Sequence, residues 1–230
     1  MITATSAAPT ASTLTPAPAS KEAFTIEYSD GDLLVVNKPC DLLTVPGRGP
    51  HNQDCLINRL LHTHPNARIV HRLDYATSGL VIIPLSYEAQ KSLSKQFQQR
   101  STAKQYSAMV DGIISDDSGH IDLPLICDWP NRPMQMVDLE QGKTAQTDFT
   151  VLNRDNNLNV TRVELKPITG RSHQLRVHML ALGHPILGDR FYATGNALTA
   201  SSRLMLHAET ISFDHPTSGG RITVTTPPSF

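Results

Sequence analysis

The sequence lacks the features that mark several classes of protein. No apolar run approaches the ~18 residues of a membrane span, and the first residues have neither the basic start nor the apolar block of a secretory signal. The three cysteines, Cys40, Cys55 and Cys127, form no CxxC pair, which disfavours a disulfide framework or a zinc site. We therefore predict a cytoplasmic protein without a membrane partner.

An excess of positive charge is also missing. The chain has 20 Lys and Arg against 21 Asp and Glu, a formal net charge of −1. Phosphate contacts need Lys and Arg, so composition alone does not point to nucleic acid. A groove lined by a few cations can nevertheless coexist with an acidic surface elsewhere.

The chain divides into two parts of different composition. Residues 1–21 are almost wholly Ala, Thr, Ser and Pro, and such a segment buries too little apolar surface to offset its ordering entropy. We predict a disordered tail there. Residues 22–230 show dense structural signals without a second linker, so we predict one domain, long enough to build a real core.

Hydrophobic patterning over residues 22–230 predicts more strands than helices. Strands are predicted at 24–28, 33–36, 80–85, 104–110, 145–152, 158–165, 203–213 and 221–225. Helices are predicted after Asp54, over 86–99 and over 172–182; the last is capped by Ser172 and turns Leu175, Met179 and Leu182 inward. Because short turns join most neighbours, we predict an α+β fold, a largely antiparallel mixed sheet flanked by helices.

Four segments are candidates for chemistry, and each also has a plain structural interpretation. His71-Arg72-Leu73-Asp74 fits a surface pair at a strand entrance, and the segment 170–178 fits an amphipathic helix with a solvated polar face. Tyr106 on a strand fits core packing, and 203–208 fits an apolar strand. The histidines of 170–178 are five residues apart and share a helical face poorly, which disfavours a metal site.

Together, in this order, the four segments resemble the RluA-type pseudouridine synthase family. HRLDYATSGL matches the family's signature around its catalytic aspartate, and KQY, GRSHQLRVHM with LGHPILGDRFY, and RLMLHA are similar to its later motifs. ICDWPNRP is similar to members of about this length. The chain departs mildly from many relatives at Tyr75-Ala76 and at Ser172. The resemblance implies the family's catalytic fold, without the S4-type RNA-binding module, which some twenty Ala/Thr/Pro-rich residues cannot form.

The resemblance also implies roles for individual residues. Asp74 is implied as the carboxylate that acts at C1′ of the ribose, either as nucleophile or by removing a sugar proton. Arg176 is implied as its bidentate partner, and Tyr106 as a ring that stacks on uracil and whose hydroxyl helps to remove the C5 proton. Arg72 would fill the space left by a flipped nucleotide. Leu204 and Leu206 are candidates for an apolar wall under the base. Candidate phosphate contacts are Lys104, Arg100, Arg132 and Arg171, each of which fits a solvated surface equally well.

The implied reaction converts uridine to pseudouridine in RNA. Substrate and product have the same composition, so we expect no cofactor and no metal. The resemblance implies targets in large-subunit ribosomal RNA and in a tRNA anticodon stem-loop, and we expect a monomer. Two alternatives stay open: a catalytically silent RNA-binding module, and a small hydrolase that uses the histidines with a metal, which metal analysis and chelator sensitivity would reveal.

Overall fold

The computed structural model describes residues 21–230, so the predicted disordered tail, residues 1–21, lies outside the described residues except for Lys21. In chain order the elements are β1 (Thr25–Ser29), β2 (Leu33–Lys38), a 3-10 turn (Pro50–Asn52), α1 (Leu56–Leu61), β3 (Ser78–Pro84), α2 (Tyr87–Gln99), β4 (Ala103–Asp111), β5 (Ser118–Asp122), β6 (Leu125–Cys127), β7 (Gln135–Val137), β8 (Gln146–Asp155), β9 (Val160–Pro167), α3 (Gln174–Ala181), α4 (Gly195–Thr199), β10 (Leu206–Asp214) and β11 (Arg221–Thr225). Each predicted strand and helix corresponds to one of these elements; β11 has the predicted ends, and the others are shifted at one or both ends.

Nine strands form one sheet. Its order is β1-β2-β3-β10-β4-β9-β8-β5, and β11 pairs with β10 beside this path. Strands β3 and β10 run parallel, whereas the other neighbouring strands run antiparallel. Strands β6 and β7 form a separate antiparallel hairpin. The predicted α+β fold with a largely antiparallel mixed sheet is confirmed.

Helices cover both faces of the first part of the sheet. On β2, Leu33 and Val35 belong to the same buried cluster as Leu93 of α2. Their neighbours Leu34 and Val36 point to the opposite face and share a cluster with α1. A strand buried on both faces is apolar along its buried length, as β2 is from Leu33 to Val36. Within residues 21–230, no helix combines the length and the apolarity that a bilayer crossing requires.

A glycine allows β3 to meet β10 closely. Gly79 pairs with Ala208 across the parallel contact and has a φ of +115°. A Cβ at this position would lie 2.3 Å from the Ala208 carbonyl oxygen, so any side chain would push the strands apart. This close parallel pairing holds the first residues of β3, which follow the loop that carries Asp74.

The start of α3 differs from the prediction. The helix begins at Gln174, and Ser172 is exposed and does not cap it. His173 occupies the N-cap position with a φ of 53° and no capping side-chain hydrogen bond. The side chain of Gln174 folds back, and its Oε1 accepts a hydrogen bond from the Arg171 amide at 3.0 Å. The Gln174 amide, which a Ser172 cap would have satisfied, donates instead to the Arg171 carbonyl at 3.2 Å.

The inward face of α3 is only partly as predicted. Leu175 and Met179 are buried in one core cluster with strand β4, as the spacing predicts. Leu182 follows the last helical residue and is exposed, so its prediction as a core residue was wrong. The next residue, Gly183, has a φ of +85° and turns the chain away as predicted, which removes Leu182 from the helical repeat.

Candidate active site

The loop before β3 presents the Asp74 carboxylate. Residues 71–74 belong to no strand. Leu73 is buried, and Thr44 Oγ1 both donates to the Leu73 carbonyl at 2.9 Å and accepts from its amide at 3.2 Å. The amide of Thr77 donates to the Asp74 carbonyl at 3.2 Å. The backbone is thus held on both sides of Asp74, whose side chain remains 28% exposed.

His71 fastens the beginning of this loop. Its Nε2 accepts a hydrogen bond from the Ile82 amide at 2.9 Å, and its ring stacks on Phe97 at a centroid distance of 4.6 Å. Burial, reinforced by the charge of Lys104, lowers the pKa of His71 to about 3. The ring is therefore neutral at pH 7, which the accepting Nε2 requires.

Arg176 on α3 faces two carboxylates, and the closer one is not Asp74. Its Nε donates to Asp189 Oδ2 at 2.7 Å and its NH2 to Asp189 Oδ1 at 2.6 Å, whereas NH1 lies 3.6 Å from Asp74 Oδ2. Burial opposes the charge, but Asp189 and then Asp74 raise the pKa of Arg176 above its ordinary value. The bidentate grip expected on Asp74 is therefore made to Asp189, a fully buried carboxylate that needs a partner.

Asp189 also organises the chain that follows it. Its Oδ1 accepts hydrogen bonds from the amides of Phe191 at 3.0 Å and Tyr192 at 3.3 Å. The two aromatic rings flank the guanidinium, whose central carbon lies 5.3 Å from the Phe191 centroid and 5.1 Å from that of Tyr192. A cation between ring faces is favourable. Asp189 and the rings of Phe191 and Tyr192 therefore hold the Arg176 guanidinium in the orientation that points NH1 towards Asp74.

A second group, His173, faces Asp74 from α3. Its Nε2 lies 4.0 Å from Asp74 Oδ2, and its Nδ1 lies 2.7 Å from the Tyr192 hydroxyl. That hydroxyl accepts from the Gln135 amide at 2.8 Å, so its own proton is available for Nδ1. Burial lowers the pKa of His173 to about 4, against the raising effect of Asp74. A neutral ring that accepts at Nδ1 turns its Nε2–H towards Asp74.

Tyr106 stands on β4 between two core clusters and is half-buried. Burial, and secondarily the charge of Asp74, raise the pKa of its hydroxyl. The side chain is therefore a neutral phenol at physiological pH.

The side chains converge on a cleft of about 320 Å³, within the size range of ligand sites. Seven of the ten predicted site residues line it, namely Arg72, Asp74, Lys104, Tyr106, Arg171, Arg176 and Leu206.

A second groove, of about 280 Å³, continues the cleft. The two share Lys104 and Arg171, and the second adds Arg100. Burial, with the nearby charge of Arg100, lowers the pKa of Lys104. Three cations follow one continuous depression, which suits a polyanion although the chain as a whole has no positive excess.

Two predicted residues lie elsewhere. Leu204 is buried in a core cluster and does not line the cleft. It precedes the first residue of β10, so the strand alternation that would align it with Leu206 does not apply. Arg132 lies in the loop between β6 and β7, where its guanidinium carbon is 4.7 Å from the Trp129 ring centroid. It lines neither depression.

Sequence reasoning assigned no role to Asp189, His173 or Tyr192. Asp189 and Tyr192 belong to the segment LGHPILGDRFY, and His173 to GRSHQLRVHM. The sequence motifs identified these segments but not the ion pair between Asp189 and Arg176. The two residues are thirteen positions apart, one in a loop and one on α3.

One group of ligand-type side chains lies close together in the described part of the chain, Asp30, Asp32 and His215. It lines neither depression. His215 Nδ1 accepts from the amides of Thr217 and Ser218, and Nε2 lies 3.0 Å from Asp30 Oδ2. The ring therefore donates its Nε2–H to Asp30, and this group does not support the metallohydrolase alternative.

Comparison with known proteins places this site in a family. A family model described as RNA pseudouridylate synthase matches residues 32–181. The dual-specificity RNA pseudouridine synthase RluA of Yersinia pestis is 54% identical over 192 residues, 84% of this chain and 93% of the relative. RluA of Escherichia coli K12 is 52% identical over 205 residues, 89% and 93% of the two chains. The structure of human RNA pseudouridylate synthase domain containing 1 matches with a TM-score of 0.78 at 33% identity, covering 93% of this chain and 87% of that one. This chain is a member of the RNA pseudouridylate synthase family.

Proposed function

We propose that this enzyme isomerises uridines in structured loops of large-subunit ribosomal RNA and of a tRNA anticodon stem-loop, with Asp74 as its catalytic carboxylate. The observation that carries the proposal is a partly exposed Asp74 in the cleft. Its Oδ2 lies 3.6 Å from Arg176 NH1, and Arg176 is itself bonded to Asp189. The bacterial relatives are named dual-specificity RNA pseudouridine synthases, which supports the proposal that this enzyme acts on two kinds of RNA.

The reaction breaks the bond between C1′ and N1, turns the base, and joins C1′ to C5. Asp74 acts at C1′ as a nucleophile or removes a sugar proton to start an elimination. A glycoside hydrolase would need a second carboxylate to activate water. Asp189, the other carboxylate on Arg176, is fully buried with both oxygens in hydrogen bonds. One available carboxylate favours isomerisation over hydrolysis.

Tyr106 is proposed as the ring that stacks on the uracil, because it lines the cleft with Asp74. Its raised pKa disfavours a phenolate base. In this proposal the neutral hydroxyl accepts the C5 proton while its own proton moves to N1 of the base, which lost its bond to C1′. The net change is transfer of one proton from C5 to N1, so the phenol is neutral before and after the step.

The target nucleotide must leave its stack to reach Asp74, at a cost of a few kcal/mol. Arg72 is exposed at the cleft beside Asp74, a suitable position to replace the extruded base. Lys104, Arg171 and Arg100 along the continuous depression are proposed as phosphate contacts.

We also propose that residues 22–230 act as one catalytic unit, as a monomer, in the cytoplasm. One sheet joins β1 to β3 with β10 and β11, near the two ends of the described chain, which supports a single unit. The three cysteines form no disulfide, in keeping with a reducing compartment.

The test is to incubate the purified enzyme with unmodified ribosomal RNA and tRNA transcripts and to map pseudouridine by carbodiimide labelling. New labelled positions that are also missing from the RNA of a deletion strain would support the proposal and identify the targets. Binding without labelling would favour the silent RNA-binding module. Release of free uracil would favour the hydrolase.

A further inference from the structure

The loop between β6 and β7 displays an aromatic ring backed by a cation. Trp129 is 64% exposed, although the Arg132 guanidinium lies over its ring at 4.7 Å. The loop is closed by backbone bonds, from the Asp128 amide to the Met134 carbonyl and from the Met134 amide to the Asn131 carbonyl, each at 3.0 Å. The ring is thus presented to solvent by an ordered turn.

The base of the same hairpin is bonded to the wall of the active site. On one strand, the Gln135 amide donates to the hydroxyl of Tyr192, which contacts His173. On the segment that returns from the hairpin, the Thr144 carbonyl accepts from Arg171 Nε at 3.0 Å. Because His173 and Arg171 both line the cleft, a substrate in the cleft lies beside this hairpin.

The charges of the hairpin argue against a phosphate contact. Arg132 and Lys143 are offset by Asp128, Asp138 and Glu140. An RNA backbone would therefore meet little net attraction. A ring face, in contrast, can stack on any base whatever the local charge.

We propose that Trp129, supported by Arg132, is a stacking platform for an unpaired base in the same RNA loop that delivers uridine to the cleft. The inference rests on the proposed function, because it takes the substrate loop as its occupant. Base–aromatic stacking is sequence-tolerant, so the platform would suit two loops of different sequence.

The experiment uses Trp129 as its own reporter, since it is the only tryptophan in the chain. A synthetic anticodon stem-loop RNA is titrated into the full-length Asp74→Asn variant, which leaves the RNA unmodified. We expect saturable quenching of the tryptophan emission. In the active enzyme, Trp129→Ala should raise KM by roughly 5- to 150-fold with little change in kcat, and Trp129→Phe should recover most of the loss.

Tyr87→Ala is the matched control, because Tyr87 is also exposed and also lies under an arginine, Arg68, at 6.0 Å. It stands at the opposite end of α2 from Phe97, which lines the cleft, and its loss should leave KM unchanged.

Unchanged emission at saturating RNA, or an unchanged KM for Trp129→Ala, would overturn the platform. If Arg132→Ala raised KM and made RNA affinity less dependent on salt while Trp129→Ala changed neither, Arg132 would be a phosphate contact. That result would also overturn the platform. Failure of the unaltered enzyme to modify the RNA would count against the proposed function instead, since the titration does not require turnover.

Discussion

Replacement of Asp189 by asparagine should cost both stability and turnover. The substitution keeps the size of the side chain but removes its charge, and it places an NH2 group against the guanidinium of Arg176. Arg176 is then a buried cation whose nearest counter-charge is Asp74, 3.6 Å away.

The magnitude follows from burial. Removing one partner of a buried ion pair costs about 3–5 kcal/mol, because the other charge is left without compensation. Both groups are buried here and joined by two hydrogen bonds, of 2.7 and 2.6 Å, so we expect about 3 kcal/mol or more. A displacement of about 1 Å near reacting atoms can cost about 100-fold in rate. We expect a fall of that order in kcat with little change in RNA affinity.

Urea unfolding and single-turnover kinetics measure the two effects. Asp54→Asn is the matched control, since Asp54 holds Arg59 with two bonds of 2.7 Å on the surface; it should cost less than about 1 kcal/mol and no activity. An Asp189→Asn enzyme with unchanged stability and kcat would refute the reasoning. Lost stability with full kcat would show that the pair holds the fold without positioning Arg176.

Three further predictions concern other residues. Tyr106→Phe should keep RNA affinity but lower kcat by roughly 100-fold, whereas Tyr106→Ala should weaken binding as well; equal effects in binding assays would contradict the stacking role. Lys104→Ala and Arg171→Ala should each reduce the slope of log affinity against log salt by about 0.7, and an unchanged slope would remove that residue as a phosphate contact. Burial lowers the pKa of His207 to about 4, below its unfolded value of about 6.5, so the unfolded chain binds more protons between these values. Stability should fall as pH drops through this range, by up to about 1.4 kcal/mol per pH unit, and denaturant titrations of the wild type and His207→Gln should show a weaker dependence in the variant.

Local sequence determined most of the fold but not the ends of α3. Alternation and turn residues predicted the strands because neighbouring strands of an antiparallel sheet are joined by short loops. The capping prediction at Ser172 failed because the Gln174 amide donates to the Arg171 carbonyl at 3.2 Å and the helix begins only after His173.

The sequence motifs predicted which residues line the site, but they did not predict which side chains pair across different parts of the fold. Asp74, Tyr106 and Arg176 were predicted from motifs and do line one cleft. The distribution of the Arg176 hydrogen bonds was not predictable, because Asp189 competes with Asp74 for the same guanidinium only in the folded chain. Leu204 was misplaced for a related reason, since the first residue of β10 sets which leucine faces the cleft.

The most direct test is a single-turnover assay of Asp74→Asn with excess enzyme and unmodified RNA. The control is Asp155→Asn, whose side chain accepts from the amides of Asn157 and Leu158 in the turn between β8 and β9. The account predicts that both variants fold and bind RNA as the wild type does, that Asp155→Asn forms pseudouridine at the normal rate, and that Asp74→Asn forms none. Pseudouridine formation by Asp74→Asn at a rate within tenfold of the wild type would contradict it.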